Sequence, residues 1–138
     1  MGRAMNNEKQ RPTVWVIYHD RMKNVESAEK YGSLKEMFTG YVDYSTAVEL
    51  AIKMFKGRFK PGDYLLEMGQ PRLVAIVTTV AEKYYSVDGT INMLCWNKRE
   101  QEYFPQNLHF PDENEPLQVL ESTQMAQQRG CTKQAVRQ

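Results

Sequence analysis

Residues 63–96 constrain the fold more than any other part of the chain, because they join two short apolar runs through one apolar helix pattern. The first run, residues 63–68, is closed by Gly69 and has the composition of a strand that is buried on both faces. Pro71 then stands where the first turn of a helix accepts proline without losing a hydrogen bond. The second run, residues 90–96, follows an Asp-Gly turn signal. A strand, a helix and a strand in this order predict a right-handed parallel crossover.

The segments before this unit predict two further strands and a helix. Residues 13–18 are a continuous β-branched and aromatic run, which is typical of a central strand, and residues 34–39 alternate weakly, as a short edge strand does. Thr46 and Glu49 have the spacing of a capping box and predict the start of a helix. The apolar face expected for this helix consists of Val48, Ile52, Phe55 and Phe59.

A returning strand is predicted for residues 102–110, and Pro105 confines it to a sheet edge or a bulge. The order of elements is then β-β-α-β-α-β-β. This order predicts a small three-layer α/β domain with a mixed sheet, followed by a short C-terminal helical segment.

Charge divides the end of the chain into two parts. The formal net charge of the 138 residues is +1, which indicates no partner by itself. Residues 111–121, however, contain four acids and no base, whereas residues 122–138 contain three bases and no acid. We therefore expect a flexible arm at residues 1–11, the α/β domain at residues 12–110, an acidic linker at residues 111–121 and a separate segment at residues 122–138.

The composition favours an ordinary cytoplasmic protein, with 41% hydrophobic and 25% charged residues. The apolar runs are too short for a membrane span, and the start of the chain lacks the pattern of a secretory signal. Cys95 and Cys131 do not make a disulfide framework, and together with His19 and His109 they lack the close spacing of a metal site. We expect no metal, no cofactor and no membrane partner.

The loops expected at the carboxyl ends of two strands offer a candidate ligand site. One loop follows the first strand, and the other precedes the apolar helix, whose free amide groups favour an anion. The candidate ligand-binding residues are His19, Arg21, Gly69, Gln70 and Arg72. They predict a phosphate or nucleotide site, and the alternative is a simple strand-to-helix turn beside a solvated loop.

Patterns that indicate catalysis are weaker. No serine has the surroundings of a nucleophile elbow, and Cys95 has the neighbours of a core thiol. Asp20 and Glu67 are a candidate acid pair, but carboxylates near strand ends also occur by chance. We expect no catalytic residue and no enzymatic activity.

A stacking platform for single-stranded nucleic acid is another alternative. Its aromatic residues are Tyr84, Tyr85, Trp96, Tyr103 and Phe104.

Residues 122–138 (STQMAQQRGCTKQAVRQ) resemble the helix-turn-helix of DNA-binding regulators. Ser122 or Thr123 matches the N-cap of the first helix. Ala126 matches the small residue where the two helices approach, and Gly130 matches the turn position that needs a positive φ. The resemblance implies a partial motif that stops inside the recognition helix. It assigns DNA contact to Arg129, Thr132, Lys133, Gln134 and Arg137.

This resemblance implies a non-enzymatic regulator that binds duplex DNA as a homodimer, with the α/β domain serving dimerisation or ligand sensing. Because the pattern stops within its second helix, two interpretations stay open. The chain is a fragment of a longer regulator, or residues 122–138 form an amphipathic tail that docks on its own domain.

The α/β portion resembles small phage and prophage proteins of unknown function. The resemblance is carried by the DYLLEMG turn at residues 63–69 and by the hairpin at residues 94–103. It implies an accessory or regulatory protein encoded by a phage. The alternative to the DNA-binding hypothesis is therefore a phage accessory protein that binds a nucleotide or a host protein and has no DNA role.

Overall fold

The computed structural model describes residues 11–20 and 23–117 of the chain. The strands in this part are β1 (Thr13–Tyr18), β2 (Ser33–Phe38), β3 (Tyr64–Leu66), β4 (Thr90–Asn97) and β5 (Glu102–His109). The helices are a 3₁₀ helix (Glu26–Tyr31), α1 (Tyr44–Phe55), α2 (Pro71–Val80) and a π-helical turn (Ala81–Tyr85) that continues α2. Within the described ranges, no helix has the length and apolar composition needed to cross a membrane.

The strands form one sheet with the order β2-β1-β3-β4-β5. β1 pairs in parallel with β2 and β3, β3 pairs in parallel with β4, and β4 and β5 form an antiparallel hairpin. The prediction of a mixed sheet within an α/β domain is confirmed. Pro105 lies opposite Leu94 in the edge strand β5, where a missing N–H costs little.

Side chains that alternate across the sheet build two separate cores. On one face, α1 and α2 pack against residues such as Trp15 and Leu65. On the other face, Val14 and Leu66 pack around Ala28 of the 3₁₀ helix. The third layer of the predicted three-layer domain is therefore thin. The 3₁₀ helix between β1 and β2 buries only Ala28, so it forms a short cover instead of a complete helical layer.

Helix α1 begins earlier than the sequence pattern predicted. Asp43 is its N-cap, and the Asp43 carboxylate accepts a hydrogen bond from the Ser45 N–H at 3.0 Å. The capping box predicted for Thr46 is wrong, because an equally good capping residue precedes it. The buried residues of α1 are Ala47, Ala51 and Phe55. Val48, which was predicted for the buried face, is 42% exposed.

A buried carboxylate joins the amino ends of β1 and β3. Asp63 is only 5% exposed. Its Oδ1 accepts from the Thr13 N–H, and its Oδ2 accepts from the Trp15 indole N–H and the Lys60 N–H, each at 3.0 Å. Three N–H donors thus replace the water that the carboxylate loses on folding. Asp63 therefore fixes the relative position of the two central strands.

Candidate functional site

The carboxyl ends of β1 and β3 lie next to each other, and the chain leaves them in opposite directions. From β1 it continues to β2 on one side, and from β3 it continues through α2 to β4 on the other side. Ligands in open α/β sheets bind where such a change of direction opens a crevice. This edge of the sheet is the candidate functional site.

A cleft of about 560 Å³ occupies this position, and its volume is in the range of small-molecule sites. We call it the carboxyl-end cleft, because its walls come from the loops that follow β1, β2 and β3. Its lining residues are Tyr18, Asp20, Lys23, Gly40, Tyr41, Val42, Tyr44, Gly69, Gln70, Pro71 and Leu73.

Gly69 brings the loop after β3 directly against β1. Its φ of +118° lies in the region that glycine adopts without strain. A Cβ atom added at Gly69 would lie 2.6 Å from the Cβ atom of Tyr18. The Tyr18 N–H donates to the Met68 carbonyl at 3.1 Å, which holds the two backbones at this separation. Glycine is therefore required at this wall of the cleft.

Helix α2 directs its amino end into the carboxyl-end cleft. Helical hydrogen bonding begins with the Val74 N–H, which donates to the Gln70 carbonyl at 3.1 Å. The amides of Arg72 and Leu73 therefore have no carbonyl partner within the helix. The Gln70 side chain does not cap them, because its amide oxygen accepts from the Tyr44 hydroxyl. The first turn presents N–H donors and a positive dipole end that suit an anion.

Three tyrosines form another part of the cleft wall. The Tyr18 hydroxyl donates to the Gly40 carbonyl at 2.9 Å. The guanidinium of Arg72 lies 5.1 Å from the centroid of the Tyr44 ring, within cation–π distance. Tyr41 is 92% exposed at the opening of the cleft. Two of the three rings are thus positioned by polar contacts, and the third is exposed to solvent.

Two neighbouring clefts of about 460 and 610 Å³ continue along the same sheet edge toward β4 and β5. Lys23 lines all three clefts, and Glu67 lines the two neighbouring ones. Burial, followed by a hydrogen bond and the negative charge of Glu67, raises the pKa of the Cys95 thiol to about 11. The thiol is therefore protonated near neutral pH and is a poor nucleophile.

The raised pKa of Cys95 predicts a slow and strongly pH-dependent alkylation. In a Cys131→Ser background, iodoacetamide should modify Cys95 slowly at about pH 8, and the rate should rise toward the thiol pKa of about 11. Glu67→Gln removes the negative charge, lowers the thiol pKa and should speed the reaction several-fold at about pH 8. Mass spectrometry measures the rate, with Glu100→Gln in the exposed β4–β5 turn as the control. Equal rates in the two variants would contradict the assigned cause.

Only part of the predicted ligand set meets in one place. Gly69 and Gln70 line the carboxyl-end cleft. His19 pairs through Nδ1 with a glutamate of β2, and Arg72 stacks on a tyrosine ring, so neither side chain lines the cleft. Arg21 lies outside the described residues.

Two other sequence predictions concern the candidate acid pair and the two ends of the chain. Asp20 lines the carboxyl-end cleft, and Glu67 lines the two neighbouring clefts. Residues 1–10 of the flexible arm predicted for residues 1–11, and the helix-turn-helix segment at residues 122–138, lie outside the described residues. The same holds for the predicted DNA-binding residues Arg129, Thr132, Lys133, Gln134 and Arg137.

The five aromatic residues of the alternative stacking platform do not share one surface. Tyr85 packs against Phe55 with ring centroids 5.8 Å apart on the face that the helices cover. Trp96 packs against Tyr103 at 4.9 Å, and Tyr103 belongs to the core on the other face. Tyr85 and Tyr103 thus pack in the cores on opposite faces of the sheet, so the five rings cannot form one continuous surface.

Sequence reasoning missed the tyrosines and the lysine of the carboxyl-end cleft. Tyr41 and Tyr44 follow β2 within six residues, and two aromatic residues so close together were the available signal. This signal points to a shared site only when β2 is known to pair with β1, because that pairing brings the two tyrosines next to the carboxyl end of β1. Lys23 precedes the 3₁₀ helix, and no local pattern marks it.

A protein-family model described as phage Pam3 gp32-like protein matches residues 9–110 of the 138-residue chain. The matched range includes every strand and helix of the described part. Because the family is described as a phage protein, the match supports the prediction that a phage encodes this chain. Comparisons with curated proteins and with solved structures give no significant match. The family match ends before residues 122–138, so it does not bear on the resemblance to a helix-turn-helix.

Proposed function

The chain belongs to the phage Pam3 gp32-like protein family, and we propose that its α/β domain binds a mononucleotide in the carboxyl-end cleft. The observation that carries this proposal is the meeting of three tyrosines with the uncapped amino end of α2 in one cleft. The proposed role is that of a binding protein and not of an enzyme.

The tyrosine wall suits a nucleobase. Aromatic faces stack on bases of any sequence, and an exposed ring can close over a base after it enters. Tyr41 is the exposed ring, while Tyr44 is held by its hydrogen bond to Gln70 and by the guanidinium of Arg72. The amide oxygen of Gln70 is occupied by Tyr44, so its NH₂ group remains available as a donor to the base edge.

The helix wall suits a phosphate. The amides of Arg72 and Leu73 open the first turn of α2, and Lys23 lines the same cleft with a positive charge. Backbone N–H groups at a helix amino end, supported by a cation, are a common arrangement for binding phosphate. A base on one wall and a phosphate on the other match the cleft volume of about 560 Å³.

The state of the nucleophilic side chains supports binding without catalysis. The Cys95 thiol is protonated near neutral pH because its pKa is raised to about 11. His19 is paired with Glu36, and His109 is paired with Glu115, in both cases at partly exposed positions outside the carboxyl-end cleft.

Tyr41→Ala should weaken mononucleotide binding roughly tenfold, because a stacked base loses its aromatic partner. Nucleoside 5′-monophosphates with each base are titrated into the chain, and affinity is obtained from calorimetry and from the rise in melting temperature. Phe110→Ala is the matched control, since Phe110 is also an exposed aromatic residue, at 42%, but lies outside the cleft. The proposal fails if no nucleotide binds, or if the two variants lose affinity equally.

A second candidate function is duplex DNA binding by residues 122–138. The observation that favours it is the change from an acidic to an acid-free, basic composition at residue 122. In this proposal Arg129, Lys133 and Arg137 contact phosphates, Gln134 reads a base edge, and a homodimer supplies two half-sites. In this proposal the double variant Lys133→Glu/Arg137→Glu should lose affinity for duplex DNA. Nucleic-acid binding by the α/β domain alone would not be affected by these two substitutions.

A further inference from the structure

A basic ridge lies at the end of the sheet opposite the carboxyl-end cleft. Residues 50–62 contain four bases and no acid. These bases, Lys53, Lys56, Arg58 and Lys60, are all exposed, and within the described part of the chain none of them takes part in an ion pair. Because α1 leads directly into the amino end of β3, the ridge is separated from the cleft by the length of the sheet.

The backbone of the basic ridge is held in place by aromatic packing. Phe55 and Phe59 face the core, with ring centroids 4.8 Å apart, and Phe59 also lies 6.3 Å from Trp15. The chain turns at Gly57, whose φ is +72°. Aromatic side chains therefore point inward in alternation with cations that point outward, and the charges are presented on a fixed loop.

The π-helical turn adds an aromatic surface beside the ridge. The Tyr85 hydroxyl donates to the Ile52 carbonyl at 3.0 Å, and the Tyr85 ring lies 6.3 Å from Phe59. These contacts hold the turn against the last part of α1. Its neighbour Tyr84 is 53% exposed, and the Lys83 ammonium lies 5.7 Å from the Tyr84 ring centroid.

The charge of the ridge exceeds what the helix end requires. The carboxyl end of a helix carries roughly half a negative charge, which one cation compensates. Lys53 lies in the last turn of α1 and can serve that purpose. The remaining three bases follow within a few residues, and the next acid in sequence, Asp63, is buried and accepts from N–H groups. The charges of these three bases are therefore available to a partner outside the domain.

We propose that the basic ridge, together with Lys83 and Tyr84, binds single-stranded nucleic acid. The cations follow the phosphodiester backbone, and the exposed Tyr84 ring stacks on a base. A single strand fits better than a duplex, because a duplex offers no unstacked base to the tyrosine. This surface is independent of the proposed mononucleotide cleft, and either can be correct without the other.

The test is fluorescence anisotropy of the full chain with a labelled oligothymidine of about 16 nucleotides and with a duplex of equal length, across a salt series. Lys56→Glu/Arg58→Glu should weaken single-strand binding roughly tenfold or more and reduce the salt slope by about one unit. Tyr84→Ala should weaken it about fivefold without changing the slope. Circular dichroism verifies that these variants fold.

Lys98→Glu/Arg99→Glu is the matched control, because it reverses two exposed charges at the other end of the sheet, in the β4–β5 turn. It should bind the oligothymidine as the unmodified chain does. Equal loss in the two double variants would overturn the assignment to the ridge. Tighter binding of the duplex, or loss of binding only in Lys133→Glu/Arg137→Glu, would also overturn it, and the latter would place nucleic-acid contact in the C-terminal segment.

Discussion

Asp63→Ala is expected to lower the free energy of unfolding by about 4 kcal/mol, which is a large part of the 5–15 kcal/mol that stabilises a typical domain. The substitution removes the acceptors of the Thr13, Trp15 and Lys60 N–H groups. The Trp15 indole is almost fully buried, so its N–H cannot turn to water instead. Urea denaturation followed by circular dichroism measures the loss.

Two companion variants make this experiment specific. Asp63→Asn retains the shape but turns one acceptor oxygen into a donor, and it should cost about 2 kcal/mol. Asp112→Ala, at an exposed carboxylate in the segment after β5, should stay within about 0.5 kcal/mol of the unmodified chain. A loss below about 1 kcal/mol for Asp63→Ala would show that the buried carboxylate does not hold β1 against β3.

Gly69→Ala is expected to cost about 3 kcal/mol of stability and to reshape the carboxyl-end cleft. The added Cβ would meet the Tyr18 Cβ at 2.6 Å, and the φ of +118° is strained for any residue with a side chain. The loop must then move away from β1, so mononucleotide affinity should fall together with the melting temperature.

Gly57→Ala separates the effect of backbone strain from the effect of the steric clash with Tyr18. Gly57 also has a positive φ, of +72°, but an added Cβ there has nothing within 4 Å. It should cost only about 1 kcal/mol from backbone strain and leave mononucleotide affinity unchanged. Equal destabilisation by the two alanines would mean that the close approach of Gly69 to Tyr18 contributes nothing.

Much of the fold was predictable because its elements have strong local signals. The apolar run of β1 at residues 13–18 and the proline at the start of α2 each determine one element by local chemistry. The start of α1 was mispredicted, because Asp43 and Thr46 are both good capping residues and only packing selects between them. The thinness of the third layer was missed because the segment after β1 has few apolar residues, and pattern alone does not show how much of a sheet it covers.

The candidate site was less predictable, because its residues come from three loops. The loop after β3 was found through Gly69 and Gln70, whose types suit a strand-to-helix turn. Tyr41 and Tyr44 were missed, since their approach depends on β2 pairing with β1 instead of β3. Asp63 was assigned to a strand without a role, because the three N–H groups that it accepts from are distant in sequence or in the preceding loop. The basic ridge was overlooked because the whole chain is nearly neutral.

The most direct test of the mononucleotide proposal is a ¹H–¹⁵N correlation spectrum of this 16.1 kDa chain, recorded during titration with a nucleoside 5′-monophosphate. The proposal predicts amide shifts concentrated at Gly40, Gly69 and Leu73, around the carboxyl-end cleft, and unchanged signals for Gly57 and Gly89. Absence of shifts at millimolar nucleotide, or shifts centred on residues 50–62 alone, would contradict binding in the cleft.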